Sequence, residues 1–216
     1  MAYSPIDRRQ EERWAKSGQL VIGLDEVGRG AWAGPLMVGA WLYPIAIEPA
    51  SFLTTPLANR LTDSKLLTPR LRATLAPELE QSSRFAVASQ SATSIDQVGL
   101  TQALRLAYLE AALSITKELK VEPSQVIWLL DGKTNFLPLE WPLVSLTVKG
   151  DQRWFAIAAA SVIAKVRRDE LMTRLAGKLP GYGFEKHKGY GTTEHRLAIQ
   201  RLGLTTEHRQ SYQLGL

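Results

Sequence analysis

The sequence contains no cysteine, which excludes several kinds of site at once. Without thiols there are no disulfide frameworks, no thiolate zinc sites and no cysteine nucleophiles. Near its start the sequence has no apolar stretch that could serve as a secretory signal. The run 30–47 contains no charged residue, but Gly34, Pro35, Gly39 and Pro44 interrupt it. We therefore expect a buried strand flanked by turns rather than a membrane span, in a cytoplasmic protein.

The composition is that of a stably folded globular protein. Hydrophobic residues make up 45% of the 216 residues and charged residues 22%, which is close to the average for such proteins. A chain of this length buries roughly 70% of its unfolded surface, so its core needs neither disulfides nor a structural metal. The 26 basic and 21 acidic residues give a net charge of +5. That excess permits binding to a polyanion, but many metabolic enzymes carry as much.

Strand-like and helix-like segments alternate along the chain. Short apolar runs predict strands over Leu20–Leu24, Leu36–Tyr43, Arg84–Ser89, Val126–Leu130 and Leu143–Val148. Capping residues and helical spacing predict helices from Ser4–Pro5 to Gly18, from Thr68–Pro69 towards Gln81 with a break at Pro77, from Thr101 to Leu119, from Arg153 to Leu175, and from Thr192 to before Gly203. The alternation predicts an α/β domain with a mixed or parallel sheet, and the final helices as an appendage.

Three of the predicted strands end in acidic residues. Asp25 and Glu26 follow the first strand, Asp131 follows the fourth, and Asp151 comes shortly after the fifth. Ligands of open α/β sheets bind at strand ends, where a rigid scaffold positions the loops. Each acid also has an ordinary explanation, since Asp131 precedes a glycine as in a turn and Asp151 precedes a helix as a cap does. Because neighbouring strand residues face opposite sides, either the strand ends at Asp25 or Glu26 contributes partly through its backbone carbonyl.

Convergence of these acids limits the kind of site they form. Unit charges ~4 Å apart repel by about 4 kcal/mol at an effective dielectric of 20, so a bare cluster partly protonates. A hard divalent cation removes this conflict, and an all-oxygen site suits Mg²⁺ or Mn²⁺. Such ions activate water and stabilise the leaving oxygen of a phosphodiester. Two other classes stay open: a glycosidase with paired carboxylates, and a non-catalytic nucleic-acid-binding module whose acids cap helices.

Residues elsewhere in the sequence suit a nucleic-acid ligand. The glycines of Gly28–Arg29–Gly30 allow backbone groups to approach a ligand closely, and such groups are able to contact the sugar hydroxyl that distinguishes RNA from DNA. A G-x-G sequence is nevertheless more often a plain turn. Aromatic and basic residues interleave from Tyr182 to Tyr190, which suits stacking beside a charged backbone. The candidates for phosphate contacts are Lys65, Arg153, Lys165, Lys186 and Lys188.

Six short motifs, in this order, resemble the signature blocks of bacterial ribonuclease HII. They are Gly23–Gly30 (GLDEVGRG), Asp63–Lys65 (DSK), Asp131–Lys133 (DGK), Lys149–Asp151 (KGD), Ala159–Lys165 (AASVIAK) and His187–Thr192 (HKGYGT). The resemblance covers residues from about 20 to about 210. The sequence departs from the family pattern in two places: Thr62 stands where an Asn often precedes D-S-K, and Ala31–Trp32 stands where Pro-Leu is frequent. Both departures leave the acidic residues untouched.

The resemblance implies a ribonuclease H-like fold, with a five-stranded mixed sheet flanked by helices. Residues 1–216 would form a single catalytic domain, with a core over about 19–178 and a helical C-terminal extension over about 179–216. The implied activity is a metal-dependent endonuclease that cuts the RNA strand of RNA–DNA hybrids and the 5′ side of single ribonucleotides in duplex DNA. Its products carry 3′-hydroxyl and 5′-phosphate ends, and its cofactors are two Mg²⁺ or Mn²⁺ ions.

The resemblance also implies roles for individual residues. The catalytic and metal-binding residues are Asp25, Glu26, Asp131 and Asp151. The substrate-binding residues are Gly28, Arg29 and Gly30 for the ribose 2′-hydroxyl, Ser64 and Lys65 for phosphate, and Tyr190 for stacking on the sugar at the DNA side of the junction. The segment Gln210–Leu216 lacks the paired aromatic residues of a clamp-binding peptide. We therefore predict no clamp partner, and we expect a monomer.

Overall fold

The structure, a computed structural model, describes residues 5–44 and 51–215. These residues form a five-stranded sheet in the order β3-β2-β1-β4-β5. The strands are β1 (Leu20–Val27), β2 (Leu36–Leu42), β3 (Phe85–Gln90), β4 (Val126–Asp131) and β5 (Val144–Thr147). β1 pairs antiparallel with β2 and parallel with β4. The prediction of a mixed sheet is therefore confirmed.

Helices cover both faces of the sheet. They are α1 (Arg9–Lys16), α2 (Pro69–Ser82), α3 (Ala92–Val98), α4 (Leu100–Leu119), α5 (Phe155–Lys178), α6 (Phe184–His187) and α7 (Thr193–Leu202). Helix α5 packs on β1 and β2 from one side, and α4 packs on β2 and β3 from the other. Within the described ranges, no helix combines the length and the apolar character needed to cross a membrane.

Side chains along β1 and β4 alternate between the two helical layers, and this alternation decides where the acids point. Leu24 belongs to the core on the α4 side of the sheet. Asp25 therefore faces α5 and Glu26 faces α4. On β4, Leu129 belongs to the core on the α5 side, so Asp131 also faces α5. The sheet thus places two of the predicted acids under one helix.

Helix α5 lies unusually close to the sheet, because glycines on the strands meet small residues on the helix. A Cβ atom at Gly23 would lie 2.2 Å from the carbonyl carbon of Ala156, and one at Gly39 would lie 2.4 Å from the carbonyl oxygen of Ala160. Any side chain at these two positions would push the helix away. The close approach brings the buried Ser161 of α5 beside the end of β1.

Helix α2 continues through Pro77, so the break predicted there is wrong. Leu75 and Leu79 on either side of the proline are buried in the core. Pro77 itself and Ala73, whose carbonyl loses its helical partner, are exposed to water. Burial of the flanking leucines therefore outweighs one hydrogen bond that water replaces.

The first helix is shorter than predicted. It begins at Arg9 rather than at Pro5, and the side chain of Asp7 accepts a hydrogen bond from the Arg9 amide at this end. The predicted cap, Ser4, lies outside the described residues. The uncharged run does contain a strand that is buried throughout, β2, although residues 45–47 of that run are also outside the described residues.

The C-terminal part of the chain contains the predicted final helix, α7, and a short helix, α6, that the sequence did not predict. Together with the end of α5 they enclose a small apolar cluster that includes Met172, Phe184 and Ile199. The division into a catalytic core and an extension stays a prediction.

Candidate active site

Asp25 and Asp131 occupy equivalent positions on neighbouring parallel strands. The last paired residues of β1 and β4 are Leu24 and Leu130, and the two aspartates follow directly. Adjacent strands lie about 4.8 Å apart, and both side chains face α5. The register of the sheet thus brings together two acids that are far apart in sequence.

Asp151 joins this pair through the turn that precedes α5. Oδ1 of Asp131 accepts a 2.7 Å hydrogen bond from the amide of Gly150, the first residue of that turn. Asp151 is buried in the turn. It is not the cap of α5, because the helix begins at Phe155 and the buried Glu11 of α1 accepts the hydrogen bond from the Phe155 amide.

The electrostatics of the cluster are those of buried carboxylates without enough counter-charge. Burial raises the pKa of Asp25 well above its usual value, and the charges of Glu26, Asp131 and Asp151 raise it further. Burial also raises the pKa of Asp151 to about 7, with additional contributions from Asp63 and Asp131. The pKa of the nearby Lys65 is raised above its usual value. Partial burial lowers this pKa, but the negative charges of the neighbouring aspartates raise it by more.

Glu26 lies on the opposite face of the sheet from the two aspartates. The hydroxyl of Tyr108 donates a 2.5 Å hydrogen bond to its Oε2 atom, and the guanidinium of Arg29 lies 3.3 Å from Oε1. β1 continues past Asp25 to Val27, held by pairing with β2. The alternative in which the strand ends at Asp25 is therefore wrong.

The donor set fits a divalent cation in chemistry, although the side chains are not arranged as a finished chelate. In the described part of the chain, no group of three acidic or histidine side chains is positioned to hold one ion. Glu26 is directed to Tyr108, and Oδ1 of Asp131 is bound to a backbone amide. The oxygens of Asp25, Asp131 and Asp151 are hard ligands of the type that Mg²⁺ and Mn²⁺ prefer. A cation would also relieve the mutual repulsion that raises the pKa values.

A cavity of about 430 Å³ opens beside Asp25. Its lining contains every residue to which the family resemblance assigns a substrate contact. These are Gly28, Arg29, Gly30, Ser64, Lys65 and Tyr190, together with Asp25, Glu26, Val27, Ser161 and Lys165. Asp131 and Asp151 are not part of the lining, although both lie close enough for their charges to raise the pKa of Asp25.

The G-R-G loop has a conformation that requires glycine at its first position. Gly28 has a φ of +83°, and a Cβ atom there would lie 2.2 Å from Nε of Arg168 and 2.8 Å from the Pro35 carbonyl oxygen. The loop is therefore held against a buried arginine. Gly30, in contrast, faces open space.

In this loop the carbonyls of Gly28 and Arg29 accept hydrogen bonds, whereas two of the amides are free. The carbonyl of Arg29 accepts hydrogen bonds of 2.9 Å from both Arg209 and the Tyr212 hydroxyl. The carbonyl of Gly28 accepts one of 3.2 Å from the amide of Ala31. Among the described residues, no group accepts a hydrogen bond from the amides of Arg29 and Gly30. A ligand contacting this loop therefore meets N–H donors.

Arg168 fastens the G-R-G loop to the loop that carries Tyr190. It is fully buried on α5, and it donates hydrogen bonds to the carbonyls of Ala33 at 3.0 Å, Pro35 at 2.8 Å and Lys188 at 2.8 Å. Its guanidinium also lies 5.5 Å from the centre of the Tyr190 ring. Sequence reasoning missed Arg168, because nothing in the pattern of a helix distinguishes a buried arginine from a surface one.

Histidines pack against the loop that carries Tyr190. The ring of His187 stacks on His195 at 4.5 Å, and His195 in turn contacts His208 at 3.2 Å. The Nδ1 atom of His195 lies 3.1 Å from the Tyr190 carbonyl oxygen. Burial lowers the pKa of His195 to about 4, so the ring is neutral at pH 7 and its Nδ1–H donates to that carbonyl.

The residues predicted to contact phosphate have different surroundings in the structure. Ser64 is buried and shares a 3.0 Å hydrogen bond with Ser161, while Lys65 is exposed at the rim of the cavity. Lys186 is paired with Glu194 at 3.0 Å. Three further positions have other surroundings: Lys165 is paired with Asp169, Lys188 donates to Thr173, and Arg153 lines a different cavity.

Asp63 is a site residue that sequence reasoning left without a role. Its Oδ1 atom accepts a 2.8 Å hydrogen bond from the amide of Lys65, which shapes the turn that presents the lysine. Its charge also contributes to the raised pKa of Asp151. The only available signal was its place beside Ser64 and Lys65 in the D-S-K motif.

Solved structures with the same fold define the class of protein. The chain superimposes on a ribonuclease H2 from Pyrococcus horikoshii with a TM-score of 0.70 and 23% identity, covering 90% of this chain and 94% of that one. It superimposes on ribonuclease HII in a complex with PCNA from Archaeoglobus fulgidus with a TM-score of 0.69 and 25% identity, over 89% and 95% of the two chains. The fold is therefore that of the type 2 ribonucleases H.

Sequence comparison gives the family. The model of the family Ribonuclease HII matches residues 22–214. The ribonuclease HII of Thermus thermophilus is 41% identical over 214 residues, which cover 98% of this chain and 93% of that protein. The chain belongs to the ribonuclease HII family and is an enzyme, a metal-dependent endoribonuclease.

Proposed function

We propose that the enzyme cleaves the RNA strand of RNA–DNA hybrids and cuts on the 5′ side of single ribonucleotides embedded in duplex DNA. One observation carries the proposal. Asp25 and Asp131 lie side by side at the ends of neighbouring parallel strands, next to a glycine loop whose free amides line the same cavity as Tyr190. Metal-binding acids, a donor for a sugar hydroxyl and a stacking ring are thereby combined in one place.

The reaction is a phosphodiester hydrolysis. Water adds to phosphorus, the bond between phosphorus and the 3′ oxygen breaks, and the departing oxygen takes up a proton. The products therefore carry 3′-hydroxyl and 5′-phosphate ends. When bound, two divalent ions supply activation of the attacking water and stabilisation of the departing oxygen. Asp25, Asp131 and Asp151 would hold these ions by their side chains, and Glu26 would contribute its backbone carbonyl, since its side chain is bound to Tyr108.

Recognition of the ribonucleotide rests on the amides of Arg29 and Gly30. An N–H donor pairs with the 2′-oxygen, which deoxyribose lacks. Tyr190 lies beside this loop, because Ala31 and Tyr190 form a bridge between the two segments. Its ring would stack on the sugar at the DNA side of the junction. Lys65 and Ser64, on the other wall of the cavity, would hold a phosphate.

A single incubation tests the proposal. A duplex with one ribonucleotide, labelled at the 5′ end, is incubated with the enzyme in Mg²⁺ or Mn²⁺, and in parallel with EDTA. We expect one product that ends in a 3′-hydroxyl at the nucleotide before the ribonucleotide, and none with chelator. A matched all-DNA duplex is the control. Binding without any product would favour the non-catalytic module, and chelator-insensitive hydrolysis of a glycoside would favour the carbohydrate hydrolase.

The cellular role follows from the substrate. Cutting beside single ribonucleotides begins their excision from DNA, so we place the enzyme in ribonucleotide excision repair during DNA replication, in the cytoplasm. A monomeric state and the lack of a clamp partner stay predictions. The preference for Mg²⁺ or Mn²⁺ is tested by comparing initial cleavage rates with each ion in the same assay.

A further inference from the structure

Another cavity, of about 450 Å³, lies where β5 forms the edge of the sheet. Its walls come from α1, the end of β5 and the turn before α5, and they include Arg9, Arg13, Thr147, Arg153 and Trp154. The cavity adjoins the acidic cluster on the side away from Tyr190. Thr147 is paired in register with Asp131, and Arg153 follows Asp151 by two residues.

The cavity carries an excess of positive charge. Its acid, Asp7, is paired with Arg9 at 2.6 Å, and the hydrogen bond from Arg9 lowers the pKa of Asp7 to about 2. The side chain of Arg13 bonds to a backbone carbonyl at 3.4 Å. The guanidinium of Arg153 contacts no acceptor in the described residues. Two exposed arginines are therefore available to an anion, and the guanidinium group matches phosphate oxygens in a bidentate manner.

The walls of the cavity are fixed by buried contacts. Glu11 is fully buried on α1 and accepts hydrogen bonds of 2.9 and 2.8 Å from the amides of Phe155 and Ala156. Trp14 stacks on Trp154 with ring centres 5.6 Å apart. These contacts hold α1 against the start of α5. An anion that enters the cavity therefore meets preformed walls, which lowers the entropic cost of binding.

Resting on the proposed function, we infer that this cavity binds backbone phosphates of the cleaved strand on the 5′ side of the scissile bond. The order of the elements gives the direction. The Tyr190 loop lies by the β1–β2 connection, the paired aspartates lie on β1 and β4, and the arginine cavity lies by β5. Because the proposed cut lies on the 5′ side of the ribonucleotide that the G-R-G loop recognises, the strand runs in the 5′ direction from that loop across the acids and reaches the arginines with its 5′ side.

The first test measures binding with cleavage switched off. Asp131→Asn is the background, and affinity for a duplex with one ribonucleotide is measured by fluorescence anisotropy across a salt series. We expect Arg13→Ala with Arg153→Ala to weaken binding about tenfold at low salt and to reduce the slope of log K against log salt by about 2. Replacement of both by lysine keeps the slope. Arg105→Ala, which removes an exposed arginine on α4, is the matched control and changes neither quantity by as much.

The second test locates the contact on the substrate. Shortening the duplex on the 5′ side should weaken binding of the parent protein to the level of the double alanine variant and leave that variant unchanged. Shortening on the 3′ side should weaken both equally. The inference is overturned if the double variant binds like Arg105→Ala, or if its deficit persists on the 5′-shortened duplex. It is also overturned if inorganic phosphate raises the melting temperature through these arginines while shortening has no effect, because the ligand is then a free anion.

The two proposals fail in distinguishable ways. The unsubstituted enzyme is assayed for cleavage of the same duplex with Mg²⁺ in parallel. Absence of cleavage refutes the proposed function. Normal cleavage combined with unaltered binding by the double alanine variant refutes the phosphate site alone.

Discussion

The hydroxyl of Tyr108 on α4 donates a hydrogen bond of 2.5 Å to Oε2 of Glu26 on β1. Tyr108 is completely buried, and its ring packs on Phe136 in the core below the sheet. One member of the acidic cluster is therefore oriented by a residue from the opposite helical layer. The contact thus ties the core on the α4 side to the strand residue whose backbone carbonyl would hold a metal ion.

The Tyr108→Phe variant tests this coupling. Removal of the hydroxyl frees the Glu26 side chain while the ring still fills its place, so we expect the cleavage rate to fall about tenfold, or ~1.4 kcal/mol, with KM nearly unchanged. Initial rates at several substrate concentrations measure this effect. Tyr43→Phe is the matched control, because the buried Tyr43 hydroxyl has no hydrogen-bond partner among the described residues. A full rate in Tyr108→Phe would show that Glu26 needs no such support.

Asp131→Asn should abolish cleavage and preserve binding. The amide keeps an oxygen that accepts the hydrogen bond from Gly150, so the turn before α5 is retained while a charged ligand is lost. We expect a loss of about a thousandfold or more in rate, or ~4 kcal/mol. Affinity for the ribonucleotide duplex should stay within about threefold. Glu78→Gln on the exposed face of α2 controls for a simple change of charge, and retained cleavage in Asp131→Asn would reject the assignment.

Tyr190→Ala should separate the two proposed substrates. Loss of the ring removes stacking worth about 1–3 kcal/mol, and an isolated ribonucleotide offers fewer alternative contacts than a long hybrid does. We expect kcat/KM to fall about 5- to 150-fold on the single ribonucleotide and clearly less on the hybrid. Tyr190→Phe, which keeps the ring, should retain most of the activity on both. An equal loss on the two substrates would remove Tyr190 from junction recognition.

The buried Glu11 makes stability depend on pH. Burial raises its pKa to about 7, above the usual glutamate value of 4.5, so the folded state holds this proton more tightly than the unfolded chain does. Its contribution is fully present below about pH 4.5 and is lost as pH rises through 7, by about 3 kcal/mol. His195 acts in the opposite direction, because its pKa is lowered to about 4. Stability from this group is lost as pH falls from about 6.5 to 4.

Comparison of the parent with Glu11→Gln isolates the glutamate, because the histidine contribution is common to both proteins. Urea denaturation between pH 5 and pH 8 gives the free energies of unfolding. We expect the variant to gain stability relative to the parent as pH rises, by roughly 3 kcal/mol over this range. A difference that does not change with pH would mean that Glu11 is ionised throughout.

The sequence sufficed for the sheet and for its acidic edge because both depend on local patterns. Apolar runs that stop at acids located the acids of β1 and β4, whereas the sequence left open whether β1 ends at Asp25 or continues with Glu26 on the opposite face, as it does in the structure. The motif resemblance then selected the residues that line the cavity. The family comparison confirms the family, and the structure confirms the mixed five-stranded sheet. The roles of the individual residues stay predictions.

The rest depended on contacts between distant parts of the chain. Glu11 has the sequence environment of a surface helix, yet it binds the first amides of α5. Arg168 looks like the charged neighbour of other charged residues, yet it is wholly buried. Pro77 is a helix breaker by its own chemistry, yet α2 continues through it with Leu75 and Leu79 buried on either side. No local pattern contains this information.

The three carbonyls held by Arg168 belong to two loops, one that would sense the sugar hydroxyl and one that would stack on its neighbour. A single guanidinium thus anchors both loops, so displacement of either loop disturbs the other. Redesign of the enzyme to accept a different sugar therefore cannot proceed one loop at a time. Substitutions in both loops have to be selected together, with the buried arginine left in place.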